Sequence, residues 1–134
     1  MNRAESGDSQ GRPTCLFVYG TLQPGRLRWP VLEPFATGHR PASVPGRIYD
    51  AGYGWPVADF KRSDAQVPGT LVDLDRRRLD EALLVFDQVE ATATDLLRRI
   101  VVTTTEGERA WTYHCHRVLA GFRQIERWDS PVEH

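Results

Sequence analysis

A four-residue turn near the start of the chain could bind a small anion. In Tyr19-Gly20-Thr21-Leu22 an apolar run stops and a hydroxyl side chain follows a glycine. Glycine lets consecutive backbone N–H groups face the same way, and such a group of amides binds a carboxylate or an oxyanion. Thr21 adds a hydroxyl donor, and Tyr19 either donates to a ligand or closes the core. A structural hairpin explains the same residues, so both interpretations stay open.

Glu90 is the carboxylate whose surroundings most favour catalysis. It stands in FDQVEATATDLLRR, after a predicted helix, between the apolar Val89 and the small Ala91. If burial removes water from this carboxylate, its pKa rises toward the range that suits general acid–base catalysis. A solvated glutamate at a helix end is the alternative that the local sequence also supports.

Two histidines, His114 and His116, would share one face of a strand because side chains alternate along a strand. Two imidazoles could begin a metal site. No acidic or cysteine residue stands at a known ligand spacing from them, and the chain has no CxxC or HExxH motif. Packing or surface roles are therefore favoured, and Cys115 between them is predicted to be a small core residue.

Composition narrows the function classes. The chain has 134 residues, 40% of them apolar, which fits one domain with a real core. A net charge of −1 does not favour nucleic-acid binding. No stretch approaches the roughly 20 apolar residues of a membrane helix, and Met1 to Pro13 lacks the apolar core of a signal peptide. We therefore expect a cytoplasmic protein in which Cys15 and Cys115 are free thiols.

Hydrophobic patterns predict the elements that hold these residues. One helix is predicted at Arg76–Phe86, where Leu79, Leu83 and Phe86 share a face and Asp75 is the N-cap. Short helical turns are expected at Leu27–Phe35, a glycine-rich loop at Asp50–Pro56 and a turn at Glu106-Gly107. Strands are predicted at Thr14–Tyr19, Ala42–Tyr49, Gln66–Leu74, Leu96–Thr105 and Arg109–Val118.

Five or six strands with one clear helix predict an α+β fold built on a curled, mostly antiparallel sheet, such as a small β-barrel with flanking helices. Residues 14–128 form the predicted domain. Residues 1–13 and 129–134 are polar and are predicted to be tails.

Several of these stretches, in this order, resemble the γ-glutamylcyclotransferase-like superfamily with its γ-glutamylamine cyclotransferase and AIG2-like branches. The apolar strand with Tyr-Gly-Ser/Thr-Leu is similar to Phe17–Leu22, and the family's Leu-Asp-x-x-Glu helix end is similar to Leu79–Glu90. The remaining matching stretches are Gly46–Asp50 with Pro56, Val67–Leu71, Arg99–Val102 and Trp111–Tyr113. Together they cover roughly residues 14 to 128.

The resemblance implies a mixed β-barrel with one cavity and a cofactor-independent, metal-free cyclisation that releases 5-oxoproline. It implies that the turn residues Tyr19, Gly20, Thr21 and Leu22 hold the γ-glutamyl group and that Glu90 transfers protons. Its expected partner is a small γ-glutamyl substrate, with no nucleic acid and no membrane, and the oligomeric state, a homodimer included, stays open.

The sequence departs from the family pattern at two positions after Glu90. Ala91 stands where the family usually has glycine, and Leu96-Leu97 stand where it often has tyrosine, about seven residues after the glutamate. The missing hydroxyl leaves the substrate class and the activity open. A non-catalytic module that binds a metabolite or a partner is the second hypothesis, and metal binding through the histidines is the third.

Overall fold

The computed structural model describes residues 12–61, 64–93, 96–118 and 120–128, and only the backbone of 91–93. Its strands are β1 (Cys15–Val18), β2 (Ala36–Pro45), β3 (Arg47–Asp50), β4 (Pro56–Asp59), β5 (Gln66–Leu74), β6 (Leu97–Thr103), β7 (Arg109–Cys115) and β8 (Arg123–Ile125). Its helices are α1 (Trp29–Leu32) and α2 (Leu79–Ala93), and 3-10 turns lie at Glu33–Phe35 and Arg76–Arg78.

The described strands form two sheets. Five strands pair in the order β2-β5-β1-β7-β6, and three pair in the order β4-β3-β8. Strands β1 and β7 run parallel, while the other pairs are antiparallel. The α+β prediction with a mostly antiparallel sheet is confirmed. The described strands form these two sheets rather than one closed barrel.

Strand β1 is central because both of its faces are covered. Leu16 and Val18 pack into the core under α2, whereas Phe17 packs into the core on the opposite face. A strand that is buried on both faces has a continuous apolar run, as this one does. The strand therefore ends at the centre of the molecule, which places the turn that follows it among buried residues.

The strand predicted at Ala42–Tyr49 is in fact two strands that belong to different sheets. The chain changes sheet at Gly46, where an added Cβ would lie 2.9 Å from the carbonyl oxygen of Asp59. The strands β4 and β8, with four and three residues, were not predicted. Strands this short have too few residues for an alternating pattern to be recognised.

Helix α2 begins at Leu79, after a 3-10 turn at the predicted start Arg76–Arg78, and it ends later than predicted. The side chain of Asp75 accepts a hydrogen bond from the backbone N–H of Arg77 at 3.0 Å, which confirms the N-cap in the 3-10 turn before the helix. The helix then continues past Phe86 to Ala93. Glu90 is therefore inside the helix, four residues after Phe86 on the same buried face, rather than beyond its end.

Other sequence predictions fall partly outside the described residues. Of the predicted tails, residues 1–11 and 129–134 are outside them, as are 94 and 95 in the stretch before β6. Among the described residues, no helix is long and apolar enough to cross a membrane.

Candidate active site

The turn after β1 is buried, and its tyrosine serves the core. Tyr19 is 7% exposed, and its hydroxyl donates to the carbonyl oxygen of Tyr113 at 2.5 Å. Its ring packs against those of Phe17 and Phe60, with centroids 6.2 and 5.6 Å away. Burial raises the pKa of Tyr19 well above its ordinary value, and the charge of Glu90 adds to the shift. Of the two roles open to Tyr19, closing the core is the one the geometry supports.

Gly20 is required by close packing rather than by a left-handed backbone. A Cβ at this position would lie 2.7 Å from both Cγ and Cδ of Pro56. The positive φ in this region belongs instead to Gly25, at 81°. Among the described residues, the backbone N–H groups of Thr21 and Leu22 donate to no backbone carbonyl.

Arg28 is tied to the turn at two points. Its backbone N–H donates to the carbonyl oxygen of Thr21 at 2.8 Å, and its Nε donates to the Thr21 hydroxyl oxygen at 2.9 Å. The hydroxyl of Thr21, predicted as a ligand donor, therefore accepts from Arg28 and orients it. Sequence reasoning missed Arg28 because nothing in the local pattern distinguishes it from the chain's many other arginines.

Glu90 completes this pocket from helix α2. It is 8% exposed, and burial raises the pKa of its carboxyl above the ordinary value, although Arg28 opposes the rise. The interpretation of Glu90 as a solvated glutamate is wrong, because the helix continues and turns it inward. The lining residues are 17–22, Arg28, Trp55, Pro56, Glu90 and Tyr113. The space between them has a volume of about 30 Å³, which has room for about two water molecules.

Comparison with known proteins identifies the family. Residues 16–130 match the family described as "Gamma-glutamyl cyclotransferase, AIG2-like". The chain belongs to this family. The resemblance read from the sequence is therefore confirmed.

Solved structures share the family fold at low sequence identity. The uncharacterized protein PH0828 of Pyrococcus horikoshii is 18% identical, with 84% of this chain and 86% of that chain covered and a TM-score of 0.61. The uropathogenic Escherichia coli protein c4763 is 17% identical, with 84% and 87% covered and a TM-score of 0.63. Kluyveromyces lactis allophanate hydrolase is 15% identical, with 92% of this chain and 21% of that chain covered and a TM-score of 0.64. No curated protein matches the sequence.

This chain lacks a tyrosine at the position where the family often has one, but another tyrosine, Tyr113, lines the pocket. Leu97, at the expected tyrosine position, packs into the apolar core. Tyr113 lines the pocket from β7, and its hydroxyl donates to Asp87 Oδ1 at 2.6 Å. Arg99 in turn donates to the same carboxylate oxygen at 2.8 Å. The pocket of this family member thus contains an aromatic ring from β7, held in place by an ion pair.

The two histidines lie in different surroundings. His114 is buried, and its Nδ1 accepts a hydrogen bond from the backbone N–H of Phe60 at 3.1 Å. Burial lowers the pKa of His114, although Asp59 opposes the shift. His116 lies beyond the strand end and is exposed. Among the described residues, no group of three or more His, Cys, Asp or Glu side chains could hold a metal ion.

Both cysteines are free, as predicted from the sequence. Cys115 is 1% exposed and packs beside Tyr49, Val57 and Leu96, which confirms it as a small core residue.

Proposed function

We propose that the protein is a cyclotransferase that converts a γ-glutamyl amine or γ-glutamyl peptide to 5-oxoproline and a free amine. The observation that carries the proposal is a buried carboxylate, Glu90, in the same pocket as the turn after β1 and a half-buried guanidinium. Membership in the gamma-glutamyl cyclotransferase, AIG2-like family supports the reaction class. A cytoplasmic location belongs to the same proposal, since both thiols are free.

Arg28 is the proposed binding partner of the substrate's α-carboxylate. Among the described residues that line the pocket, Arg28 is the one with a positively charged side chain. A guanidinium binds a carboxylate through two parallel N–H donors. Because Nε is already bonded to Thr21, the terminal nitrogens are the ones left to face a ligand.

The reaction needs no external nucleophile. In a γ-glutamyl amide the α-amine is tethered to the molecule that contains the γ-carbonyl carbon, and closing a five-membered ring brings the two atoms together. The new bond joins the amine nitrogen to that carbon, and the bond that breaks joins the carbon to the leaving nitrogen. By binding the substrate in the folded conformer, the protein holds the two reacting atoms close together, and this proximity lowers the activation free energy.

Glu90 is the proposed proton carrier. Its carboxylate accepts a proton from the α-ammonium group, which frees the lone pair for attack. The same group then donates that proton to the leaving nitrogen as the carbon–nitrogen bond breaks. The attacking nitrogen must lose a second proton to become the lactam N–H; the regenerated carboxylate accepts it and passes it to the freed amine, which leaves as an ammonium ion. Two protons thus leave the α-ammonium group and two reach the leaving nitrogen, so none is gained or lost overall. A raised pKa suits both steps, because the group must be a base first and an acid afterwards. The N–H groups of Thr21 and Leu22 are the proposed donors to the oxyanion of the tetrahedral intermediate.

A non-catalytic module of the same fold remains the second candidate. The missing tyrosine hydroxyl favours it, because Leu97 stands near the position where the family often has tyrosine and packs into the apolar core. The two functions differ in turnover, since a binding module has affinity for γ-glutamyl ligands but releases no product.

The test is release of 5-oxoproline from a panel of γ-glutamyl amines and dipeptides. Wild type is compared with Glu90→Gln, and Glu81→Gln is the matched control because Glu81 lies exposed on the same helix. Turnover that collapses only in Glu90→Gln supports the cyclotransferase. Binding without turnover across the panel in the wild type overturns it and supports the binding module.

A further inference from the structure

The loop between β3 and β4, residues 51–55, carries aromatic side chains beside the pocket. Gly52 and Gly54 both have φ of 86°, a left-handed conformation that favours glycine. The two glycines alternate with Tyr53 and Trp55. An added Cβ at either glycine would meet no atom within 4 Å. Backbone conformation rather than crowding therefore requires the glycines, and the loop serves to present the two aromatic rings.

Three rings form one surface, which we call the aromatic shelf and define as Tyr53, Trp55 and Phe122. The rings of Tyr53 and Trp55 stack with centroids 4.8 Å apart and an interplanar angle of 29°. The ring of Phe122 meets Tyr53 edge-on at 6.2 Å and 84°. Aromatic pairs at these separations stabilise each other. The shelf is thus a set of rings that fix one another's orientation.

The underside of the shelf is anchored and its upper side is open. Trp55 and Phe122 pack against the buried cluster that includes Tyr49 and Val57. Tyr53 is 43% exposed. An anchored aromatic surface with an exposed ring is typical of a place where a flat apolar group binds.

The shelf is continuous with the candidate active site. Trp55 lines the pocket that contains Glu90, and so does its neighbour Pro56. Pro56 in turn lies against Gly20 in the turn proposed to hold the γ-glutamyl group. A ligand that extends from the pocket across Trp55 therefore reaches the shelf.

The size of the pocket agrees with such an extension. Its inner space of about 30 Å³ has room for about two water-sized groups. A γ-glutamyl amide bound there would place its leaving amine on the surface that continues from the pocket wall. The nearest charges on the loop are already paired, because Asp50 binds Arg123 at 2.9 Å and the N–H of Gly52 at 2.9 Å.

We propose that the aromatic shelf binds the leaving amine and that the preferred amine carries an aromatic ring. This inference rests on the proposed function and names the class of amine that the reaction releases. A stacked ring on the shelf stabilises the bound substrate through offset or edge-to-face contact with Trp55 and Tyr53. The amine is aromatic because the shelf supplies ring faces and no charged side chain.

The experiment compares kcat/KM for γ-glutamyl benzylamide, γ-glutamyl butylamide, γ-glutamyl methylamide and the γ-glutamyl derivative of 1,4-diaminobutane. We expect benzylamide to exceed methylamide by about 10-fold, which corresponds to one added aromatic contact. In Tyr53→Ala and Trp55→Ala this ratio falls toward one. Leu84→Ala is the matched control, since Leu84 is an apolar side chain, 60% exposed, on helix α2.

Three results would overturn the inference: a benzylamide ratio of one in the wild type, an unchanged ratio in both shelf variants, or a preference for the cationic diaminobutane derivative. Absence of turnover with every amide speaks against the proposed function instead. In that case, calorimetry measures the affinity of the Glu90→Gln protein for γ-glutamyl benzylamide and for γ-glutamyl methylamide. Equal affinities in that protein count against the shelf whether or not the wild type turns over.

Discussion

Glu90 and His114 are both ionisable side chains that burial has taken out of water, yet they lie in different surroundings. Burial raises the pKa of Glu90 and lowers that of His114, because in each case it disfavours the charged form. His114 Nδ1 accepts a backbone N–H from Phe60, and the residue belongs to the framework. Glu90 faces a cavity that also contains Arg28 and the turn after β1.

The difference teaches that burial and a shifted pKa do not by themselves identify a catalytic group. A buried group whose hydrogen-bonding capacity is used by the backbone serves stability. A buried group that faces a space with unused donors is available for a substrate. The two residues should therefore respond differently to substitution.

The largest effect is expected for Glu90→Gln, the variant proposed above. If Glu90 transfers protons, kcat falls by about 10²- to 10⁴-fold, the usual contribution of a general acid–base group. The free energy of unfolding should not fall, because the amide replaces a buried charge with a neutral group of the same shape. Steady-state kinetics and thermal unfolding measure the two quantities. A variant that loses stability and activity together would place Glu90 beside His114 as a framework residue.

Arg28→Gln should follow in size. Loss of a charged hydrogen bond to the substrate carboxylate costs about 1.5–3 kcal/mol, so kcat/KM should fall by about 10- to 100-fold, chiefly through KM. Because Arg28 lowers the pKa of Glu90, its removal should also move the acidic limb of the kcat/KM profile to higher pH. Both readouts come from kinetics across pH. An unchanged KM together with an unmoved profile would rule out the proposed carboxylate contact.

His114→Ala should show the opposite of Glu90→Gln, with a loss of stability and no loss of activity. The substitution leaves the backbone N–H of Phe60 without its acceptor, so the free energy of unfolding should fall by about 1–3 kcal/mol while kcat stays unchanged. Denaturant unfolding and steady-state kinetics test this. His116→Ala is the control, with an expected change within about 0.5 kcal/mol because that side chain is exposed. If His114→Ala lost turnover without losing stability, His114 would not be a framework residue, and the contrast with Glu90 would be wrong.

The smallest expected effect is the change of stability with pH that the shifted pKa values of Glu90 and His114 cause. A raised pKa means that Glu90 contributes stability below its ordinary pKa of 4.5, and this is lost as pH rises through its folded-state value. Glu90→Gln should therefore gain Tm relative to wild type as pH rises above 4.5. For His114, with a lowered pKa, the stability is present above the ordinary 6.5 and is lost as pH falls.

The stability gap between wild type and His114→Ala should accordingly narrow on acidification. The groups that act on His114 are Asp59, Lys61 and His116, and the group that acts on Glu90 is Arg28. Thermal unfolding of the three proteins from pH 4 to pH 8 measures both trends. Parallel trends for the two variants would contradict the opposite signs of the two shifts.

Much of the fold was predictable because its signals are local. The bounds predicted for β5, Gln66–Leu74, agree with the structure, since a long run that contains β-branched and apolar residues favours a strand. The short strands β4 and β8 were not predictable, because three or four residues depend on their sheet partners rather than on their own pattern.

The candidate site was predictable only in part. The turn Tyr19–Leu22 and Glu90 were chosen from the sequence, and the structure brings them into one pocket. Their roles in binding and catalysis stay predictions. Arg28 and Trp55 were missed as pocket residues, because their position in the pocket depends on contacts between segments that are distant in the sequence.

The sequence by itself determined the family, the first apolar strand and the start of the helix after Asp75, because residue order, hydrophobic periodicity and capping act over a few neighbours. Only the tertiary structure decided which way Glu90 faces, why Gly20 must be glycine and where Arg28 lies. Pro56 lies against Gly20 and Arg28 bonds to Thr21 only after the two sheets and helix α2 pack together. Desolvation, which raises the pKa of Glu90, likewise arises only when that packing removes water from the carboxylate.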